Sequence, residues 1–488
     1  VVFLASACGL GYQLVAGTTS SYLLGDSVTQ FSLTIGLYLF ALGIGAYLTK
    51  FIERDLAAVF VRVELAVAVA GGVSALSLFF LWQSELWFRP MLYGEILLIG
   101  TLVGIEIPLL MRLLEEELEL KELVARVLAW DYVGALVAAL MFPILLVPRL
   151  GLARSALAFG LVNAAVALWS VSLFRSRLAR PLGLQVQSCV VIAGLAALFS
   201  QADRLSTLAE HQIYTGEIVY AKTSPYQRVV VTDSGKHFQL FLSGALQFNS
   251  EDEYRYHEAL CHPAMAVAGE PRRVLILGGG DGLAAREILR HPSVERVVLV
   301  DLDPAVTALA KSFEPFVQLN EGALADPRVE VINADAMNWL QESKALFDVV
   351  IVDFPDPHSF AVGKLYTDTF YGALMARLAP HGAIAVQSTS PRLAPQSYWC
   401  IARTMESVGL FVRPYHAAVP SFGEWGFMLA SRRAFEVPSE VPEGLRYLSA
   451  EFMPTLFVLP EDASAREVEI NRLSAQSLVR YYDAELNK

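Results

Sequence analysis

The chain has 488 residues, too many for one ordinary domain, so two or more are expected. It is 55% hydrophobic and 18% charged, with a mean hydropathy of +0.46, which suits a protein partly embedded in a membrane. A formal net charge of −12 argues against a nucleic-acid partner and is compatible with cationic substrates, and the scattered Cys8, Cys189, Cys261 and Cys400 indicate neither a disulfide framework nor a zinc site.

In chain order, the first 203 residues read as a multi-pass helical domain. A span needs about 20 apolar residues. Candidate spans lie near 1–24, 28–49, 59–82, 91–113, 124–147, 152–174 and 184–202, about seven in all. The sequence begins inside the first of these without an initiator Met, so a preceding stretch is expected to be missing or trimmed. Lys50, Arg54, Arg112, Lys121, Arg126, Arg175, Arg177 and Arg180 fall in the second, fourth and sixth connectors. The positive-inside rule would make those connectors cytoplasmic and put everything after residue 203 outside. Either the count is off by one, through a missing N-terminal stretch or a re-entrant segment, or the charge rule fails here; the expectation is an inner-membrane protein whose second half is cytoplasmic. Glu64, Glu95, Glu106 and Asp131 fall at membrane depth, where ionisable groups often line a polar cavity. The alternative is that they sit near the interfaces or pair with Arg62 and Arg126. Gly9, Gly11 and Gly17 are read as close-packing positions.

From His211 to Ser250 the pattern turns to short β-rich segments separated by Asp233-Ser-Gly235 and Ser243-Gly244, a small antiparallel sheet assigned to 204–262. A helix follows over Glu251–Met265, carrying Tyr256, His257, Glu258 and His262. The two histidines are one residue too far apart for the H-E-x-x-H zinc spacing. Strands at 274–277, 297–301, 329–332, 348–353 and 383–387 alternate with helices, which predicts a Rossmann-like α/β domain over 263–435. Residues 436–488 form an extension without a readable motif. The predicted fold class is thus an α-helical transmembrane bundle fused to a class I methyltransferase-like α/β domain with a small antiparallel sheet before it.

The first strand of that domain ends in Gly278-Gly-Gly-Asp-Gly282, with Gly278, Gly280 and Gly282 permitting a tight turn and close ligand approach. Asp301 lies about 20 residues on, where nucleotide-binding folds place an acid against ribose hydroxyls. Acids recur at four successive strand ends: Asp281; Asp301 and Asp303; Asp335; Asp353 and Asp356. Any one of them could cap a helix, but four in a row point to a cationic ligand. Asp281 inside the turn suits an ammonium, and pyrophosphate ligands such as NAD or ATP fit poorly among carboxylates with no nearby lysine.

These pieces, with Tyr226-Gln227, Leu242-Ser-Gly-Ala-Leu-Gln247, Asp252-Glu-Tyr-Arg-Tyr-His-Glu258, Gln387-Ser and Gly426-Phe-Met-Leu-Ala-Ser, resemble the spermidine synthases (polyamine aminopropyltransferases), specifically the bacterial form with an N-terminal membrane domain. The resemblance covers roughly 215–431. It implies decarboxylated S-adenosylmethionine as co-substrate and a diamine, typically putrescine, as acceptor, with no tightly bound cofactor and no metal. It implies Asp353 as catalytic acid–base group and Tyr256 beside the reacting nitrogen. Gln227, Gln247, Gly278, Gly280, Asp281, Asp301, Asp335 and Ala336 would line the donor side. His257, Asp356, Gln387 and Glu424 would serve the acceptor. Two departures stand out: Phe354-Pro355 lie between the two acids of the fourth strand, and a family tyrosine is replaced around Pro420-Ser-Phe-Gly423, with Glu424 and Trp425 next to it. A homodimer or higher homo-oligomer is expected. The competing readings are a membrane-bound S-adenosylmethionine methyltransferase, and a polyamine transporter or sensor whose second half only binds.

Overall fold

The computed structural model describes residues 1–486 except 25–26, 83–84, 116–118, 211–213 and 215. Part of the acidic connector and the expected start of the β-rich segment at His211 therefore lie outside the described residues. The chain divides into two compact units, Val1–Glu217 and Ile218–Lys488.

The first unit is helical: α1 (Val2–Leu24), α2 (Ser27–Leu48), α3 (Leu56–Leu81), α4 (Glu85–Leu114), α5 (Leu120–Met141), α6 (Val147–Leu173) and α7 (Pro181–Glu210). Among the described residues six helices are long and apolar enough to cross a membrane, where seven were expected. The difference lies in one 54-residue stretch, Leu120–Leu173, in which a π turn at Phe142–Leu146 joins α5 to α6. Gly151 breaks it, with φ 73° and ψ 177°, a conformation that L side chains resist. A straight rod of that length would reach about 80 Å at 1.5 Å per residue. Yet both ends sit at one end of the bundle. Arg112, late in α4, donates Nη1 to Thr49 O and Ile52 O at 2.8 Å, and Arg177, just past α6, donates Nη1 to Leu113 O at 2.5 Å. The stretch must therefore fold back at Gly151.

Small residues let these helices approach closely, as expected of Gly9, Gly11 and Gly17: a Cβ on them would fall 2.8, 2.5 and 2.8 Å from Val103, Phe159 and Phe31. Outward positions are also apolar, including Leu39, Phe40 and Ile144, which suits lipid more than water. Among the described residues no ion pair joins these four acids to Arg62 or Arg126; Arg126 pairs with Glu122.

The second unit holds two sheets. Strands β1 (Glu217–Thr223), β2 (Arg228–Asp233), β3 (Phe238–Leu242) and β4 (Ala245–Asn249) form a four-stranded antiparallel sheet in sequential order. Strands β5 (Arg273–Gly278), β6 (Arg296–Asp301), β7 (Val329–Asn333), β8 (Phe347–Asp353), β9 (Leu378–Gln387), β10 (Phe411–Val419) and β11 (Gly423–Ser431) form the other, ordered β10-β11-β9-β8-β5-β6-β7. All five expected strands are present, β5 to β9, and they pair in parallel. Two more follow as an antiparallel edge. Val274, Leu275, Ile276 and Leu277 are fully buried because helices cover both faces.

The parts expected as 204–262, 263–435 and 436–488 share one core: Val229, Leu240 and Phe248 of the small sheet pack in the same cluster as Val274, Ile276, Leu448 and Met453. The extension has little regular structure before its last helix, Ser477–Leu486, and carboxylates pin it. Glu258 accepts from Arg446 N, Tyr447 N and Leu448 N at 2.8, 2.9 and 2.9 Å. Glu485 accepts from Gln396 N at 2.7 Å and Ser397 N at 3.1 Å.

The fold-back at Gly151 predicts sidedness. Cysteines substituted for Glu53 and Ser176 should react with an impermeant maleimide from the same side of the membrane, and one at Leu150 from the other. Labelling of positions 53 and 176 from opposite sides would mean that Leu120–Leu173 crosses only once.

Candidate active site

The order of the parallel strands reverses between β5 and β8, and the carboxyl ends of both meet there. Such a switch point is where open α/β sheets take ligands. In register, Gly278 pairs with Asp353 and Asp301 with Asn333. The glycine turn is shaped by its neighbours. Gly278 has φ 82°, and a Cβ there would fall 2.1 Å from Asp353 O; at Gly280 it would fall 2.6 Å from Asp301 Oδ2. Gly280 N instead donates to Asp301 Oδ2 at 3.1 Å, and Asp303 N donates to Oδ1 at 2.8 Å. Asp281 Oδ1 accepts from Leu283 N at 2.9 Å, so the first donor of the following helix is already used. Both acids keep some solvent contact but lie deep among protein atoms. Burial pushes each up to about 6, helped in Asp281 by the charge of Asp353 and opposed by His257.

Tyr256, on helix α8 (Glu253–Ala268), donates its hydroxyl to Asp353 Oδ1 at 2.7 Å. Burial, with Asp353 beside it, holds the Tyr256 phenol well above its ordinary value, so Tyr256 stays a donor. Burial also raises Asp353, against the pull of His257 and Tyr256. His257 Nδ1 lies 2.9 Å from both the backbone oxygen and Oε2 of Glu253. Burial works against its charge, but Glu253 overrides this and pushes the imidazole up to about 9. His257 in turn draws the Asp281 and Asp353 carboxyls down against their burial. Glu253 is clamped in turn by Arg286, whose Nη1 and Nη2 reach its two oxygens at 2.9 and 3.0 Å.

Asp356 sits in a second polar nest. Gln387 Nε2 donates to its Oδ1 at 3.1 Å, and Thr389 Oγ1 and Tyr482 OH donate to its Oδ2 at 3.2 and 3.0 Å. Gln387 is fixed by Phe354 O at 2.7 Å and by Trp425 Nε1, which donates to its Oε1 at 3.1 Å. The intervening Phe354-Pro355 thus contributes backbone oxygens, that of Pro355 accepting from Tyr366 OH at 3.1 Å. Tyr482 comes from the last helix and was not anticipated; 126 residues separate it from Asp356, and no local pattern signals it. Thr389 and Tyr366 were likewise not assigned to the site, whereas Trp425, expected as a cation–π surface for the amine, donates to Gln387.

The remaining expected residues fare differently. Gln227 Nε2 donates to Asp303 Oδ2 at 3.1 Å, beside Ser224 Oγ at 2.7 Å, which joins the small sheet to the end of β6. Gln247 Nε2 donates to Ala245 O on its own strand at 3.2 Å, and among the described residues no bond joins it to the acids. Asp335 caps the helix that begins at Ala336 and pairs with Lys364 Nζ at 2.7 Å. Partial burial is outweighed there by Lys364 and Asn338, and its carboxyl lies below the ordinary value. Glu424 is not brought into the nest. Side chains alternate along β11, so Glu424 faces away from Trp425 and lies 2.8 Å from His416 Nδ1 on the neighbouring strand.

A model of the spermine/spermidine synthase domain matches residues 253–439. The polyamine aminopropyltransferase of Leptospira interrogans is 48% identical over 487 residues, covering 100% of this chain and 98% of that protein. The chain belongs to the polyamine aminopropyltransferase family. Polyamine aminopropyltransferase 2 of Ralstonia nicotianae is 49% identical over 493 residues, covering 99% of this chain and 97% of its own. A crystal structure of spermidine synthase with the transition state analogue AdoDATO matches 50% of this chain and 86% of its own at 28% identity, with a TM-score of 0.47. The helical first unit of this aminopropyltransferase lies within the full-length likeness. Tyr482, by contrast, lies beyond the stretch that the domain model matches.

A hydrogen bond to a carboxylate contributes about 1.5–3 kcal/mol. Tyr482→Phe should therefore raise the KM for the amine acceptor about tenfold, with kcat and the KM of the nucleoside donor little changed. An unchanged acceptor KM in steady-state assays would remove Tyr482 from the acceptor nest.

Proposed function

We propose that this aminopropyltransferase moves the aminopropyl group of decarboxylated S-adenosylmethionine to a diamine such as putrescine, giving spermidine and methylthioadenosine. The observation that carries this reading is the set of carboxylates Asp281, Asp301 and Asp353 about the glycine turn, with Asp356 in a nest that also lies within reach of Tyr256 and with the buried His257 opposing their charge. Asp301, which orders the turn from below, is placed to receive ribose hydroxyls. Asp281 faces the donor's ammonium tail and would repel the α-carboxylate of ordinary S-adenosylmethionine; like charges so placed cost several kcal/mol.

A free alkylamine has a pKa near that of lysine, about 10.4, and arrives protonated. Asp356, held by Gln387, Thr389 and Tyr482, binds one end of the diamine. The proton at the other end passes to Asp353, a stronger base than an exposed aspartate because burial raises it. The freed nitrogen attacks the methylene next to the sulfonium. The N–C bond forms as the C–S bond breaks, and sulfur leaves with the bonding pair as a neutral thioether. Tyr256, held protonated, orients Asp353 and does not compete as base. The leaving group is already activated, so positioning supplies much of the remaining rate.

The donor is made in the cytoplasm, so the catalytic half belongs there. With α5 and α6 doubling back, the basic connectors then lie on the opposite side, against the usual charge bias. Maleimide labelling of Cys at position 53 in intact cells decides the matter.

Two outcomes are expected. Asp353→Asn should lower methylthioadenosine release by about 10²–10⁴-fold while donor affinity by calorimetry stays within a few-fold. Near-normal turnover would remove Asp353 as base. Because Asp281 and Asp301 are charged only above about 6, acidification neutralises the groups that hold the cationic donor. The kcat/KM for donor should be flat above neutrality and fall as pH drops through about 6; a rise on acidification would contradict the assignment. Failure to release methylthioadenosine with any amine of a diamine panel would sink the function as a whole.

A further inference from the structure

The strand-end acids do not share one electrostatic setting. Among the described residues no Lys or Arg acts on Asp281, Asp301, Asp353 or Asp356. Asp335 differs: Lys364 Nζ donates to its Oδ2 at 2.7 Å, where no lysine was expected near the acids. The backbone on either side of Lys364 is fixed. Asn471 Nδ2 donates to Gly363 O and Tyr366 O at 3.1 Å each, and a Cβ on Gly363 would fall 2.4 Å from Gln476 Oε1. Asp335 does not need the lysine in order to cap its helix, since its Oδ1 already accepts from Asn338 N at 3.1 Å. Both side chains of the pair are half-buried, and an ion pair so placed adds little to stability.

Strand order puts this pair at one end of the cleft. The sheet runs β8-β5-β6-β7, with Asp353 ending β8, Asp281 in the turn after β5, Asp301 ending β6, and Asp335 two residues beyond the end of β7. Neighbouring strands lie about 4.8 Å apart, so β5 and β7 are separated by roughly 10 Å, about the length of a nucleoside. A nucleoside with its ribose on Asp301 and its cationic tail on Asp281 points its base towards Asp335. The exocyclic amino group of a purine is a neutral donor, whereas amine substrates and products are cations. A bare carboxylate would hold either. With Lys364 on one oxygen the pair is neutral overall. It still accepts from a neutral N–H, because a carboxylate offers about four acceptor positions, but an arriving ammonium meets like charge.

We propose that Lys364 is a specificity-determining residue: it neutralises Asp335 and so reserves the nucleobase end of the cleft for a purine, against the polyamines that the other end attracts. The inference rests on the donor-side placement of Asp335 under the proposed function. Lys364 sorts two ligands that a uniformly acidic cleft would confuse.

The test uses the full chain in lipid nanodiscs, with methylthioadenosine binding measured by calorimetry with and without excess putrescine. In the unaltered protein putrescine should change the methylthioadenosine Kd by less than about threefold. In Lys364→Met it should weaken binding by about tenfold or more, in a way that added methylthioadenosine overcomes, and Lys364→Arg should behave as the unaltered protein. Lys364→Gln keeps a donor for Asp335 without the charge, so it should behave as Lys364→Met and carries the test if that variant fails to fold. Loss of binding in both neutral variants that putrescine does not deepen would make the lysine merely structural and overturn the proposal, as would competition that Lys364→Arg retains. Asp335→Asn separates the two readings. If it weakens methylthioadenosine binding while Lys364→Met shows no competition by putrescine, only the role of Lys364 falls. Unchanged binding in Asp335→Asn removes Asp335 from the donor side, and the proposal with it.

Discussion

The catalytic half depends on one electrostatic constraint: several carboxylates gathered where desolvation disfavours their charge, with one imidazolium to offset them. His257 holds that charge because Glu253 does, and Glu253 holds its charge because Arg286 grips both its oxygens. The series continues through Glu287, which accepts from Arg286 Nε at 2.8 Å and lies 3.1 Å from His262 Nε2. Removing one member of a buried pair leaves its partner uncompensated, at a cost of about 3–5 kcal/mol. The series also ties α8 to the helix that follows the glycine turn. Cleft charge and helix packing are therefore one problem with one solution.

The backbone explains why the acids converge. Parallel strands in register end together, so a residue at the last position of β5, β6 or β8 lies on the same rim. Glycine at 278 and 280 is required because carboxylate or carbonyl oxygens occupy the space a Cβ would take. The turn and the acids are mutually dependent: Asp301 holds the turn through Gly280 N, and the turn leaves room for Asp301. Beyond the sheet, the extension is held by backbone donors on Glu258 and by Glu485 on the Pro395–Ser407 helix, which delivers Tyr482 to Asp356.

Local features were legible in the sequence because their causes are local. The buried aliphatic run of β5, the glycine turn and the strand-end acids follow from periodicity and spacing, and all appear where expected. What was not legible depends on contacts between distant segments. Tyr482 reaches Asp356 only because the extension folds back, and Glu424 misses the nest because of strand alternation set by an edge hairpin that was not foreseen. The setting of His257 was not legible either: it is fixed by Glu253 four residues earlier and, through Glu253, by Arg286 on another helix. The break at Gly151 is a single residue inside a continuous apolar run, so hydropathy placed the two segments but hydrogen bonding joined them.

The same physics governs both units with opposite bookkeeping. In the cleft, carboxylates retain a path to water and a resident counter-ion, so a cationic substrate completes a balance already partly met. In the bundle, Glu64 and Glu106 have no such path to water, where a carboxyl is cheapest in its neutral form, and Asn163 Nδ2 donates to Glu64 at 3.0 Å. Helix packing alone would be served better by apolar side chains of similar size.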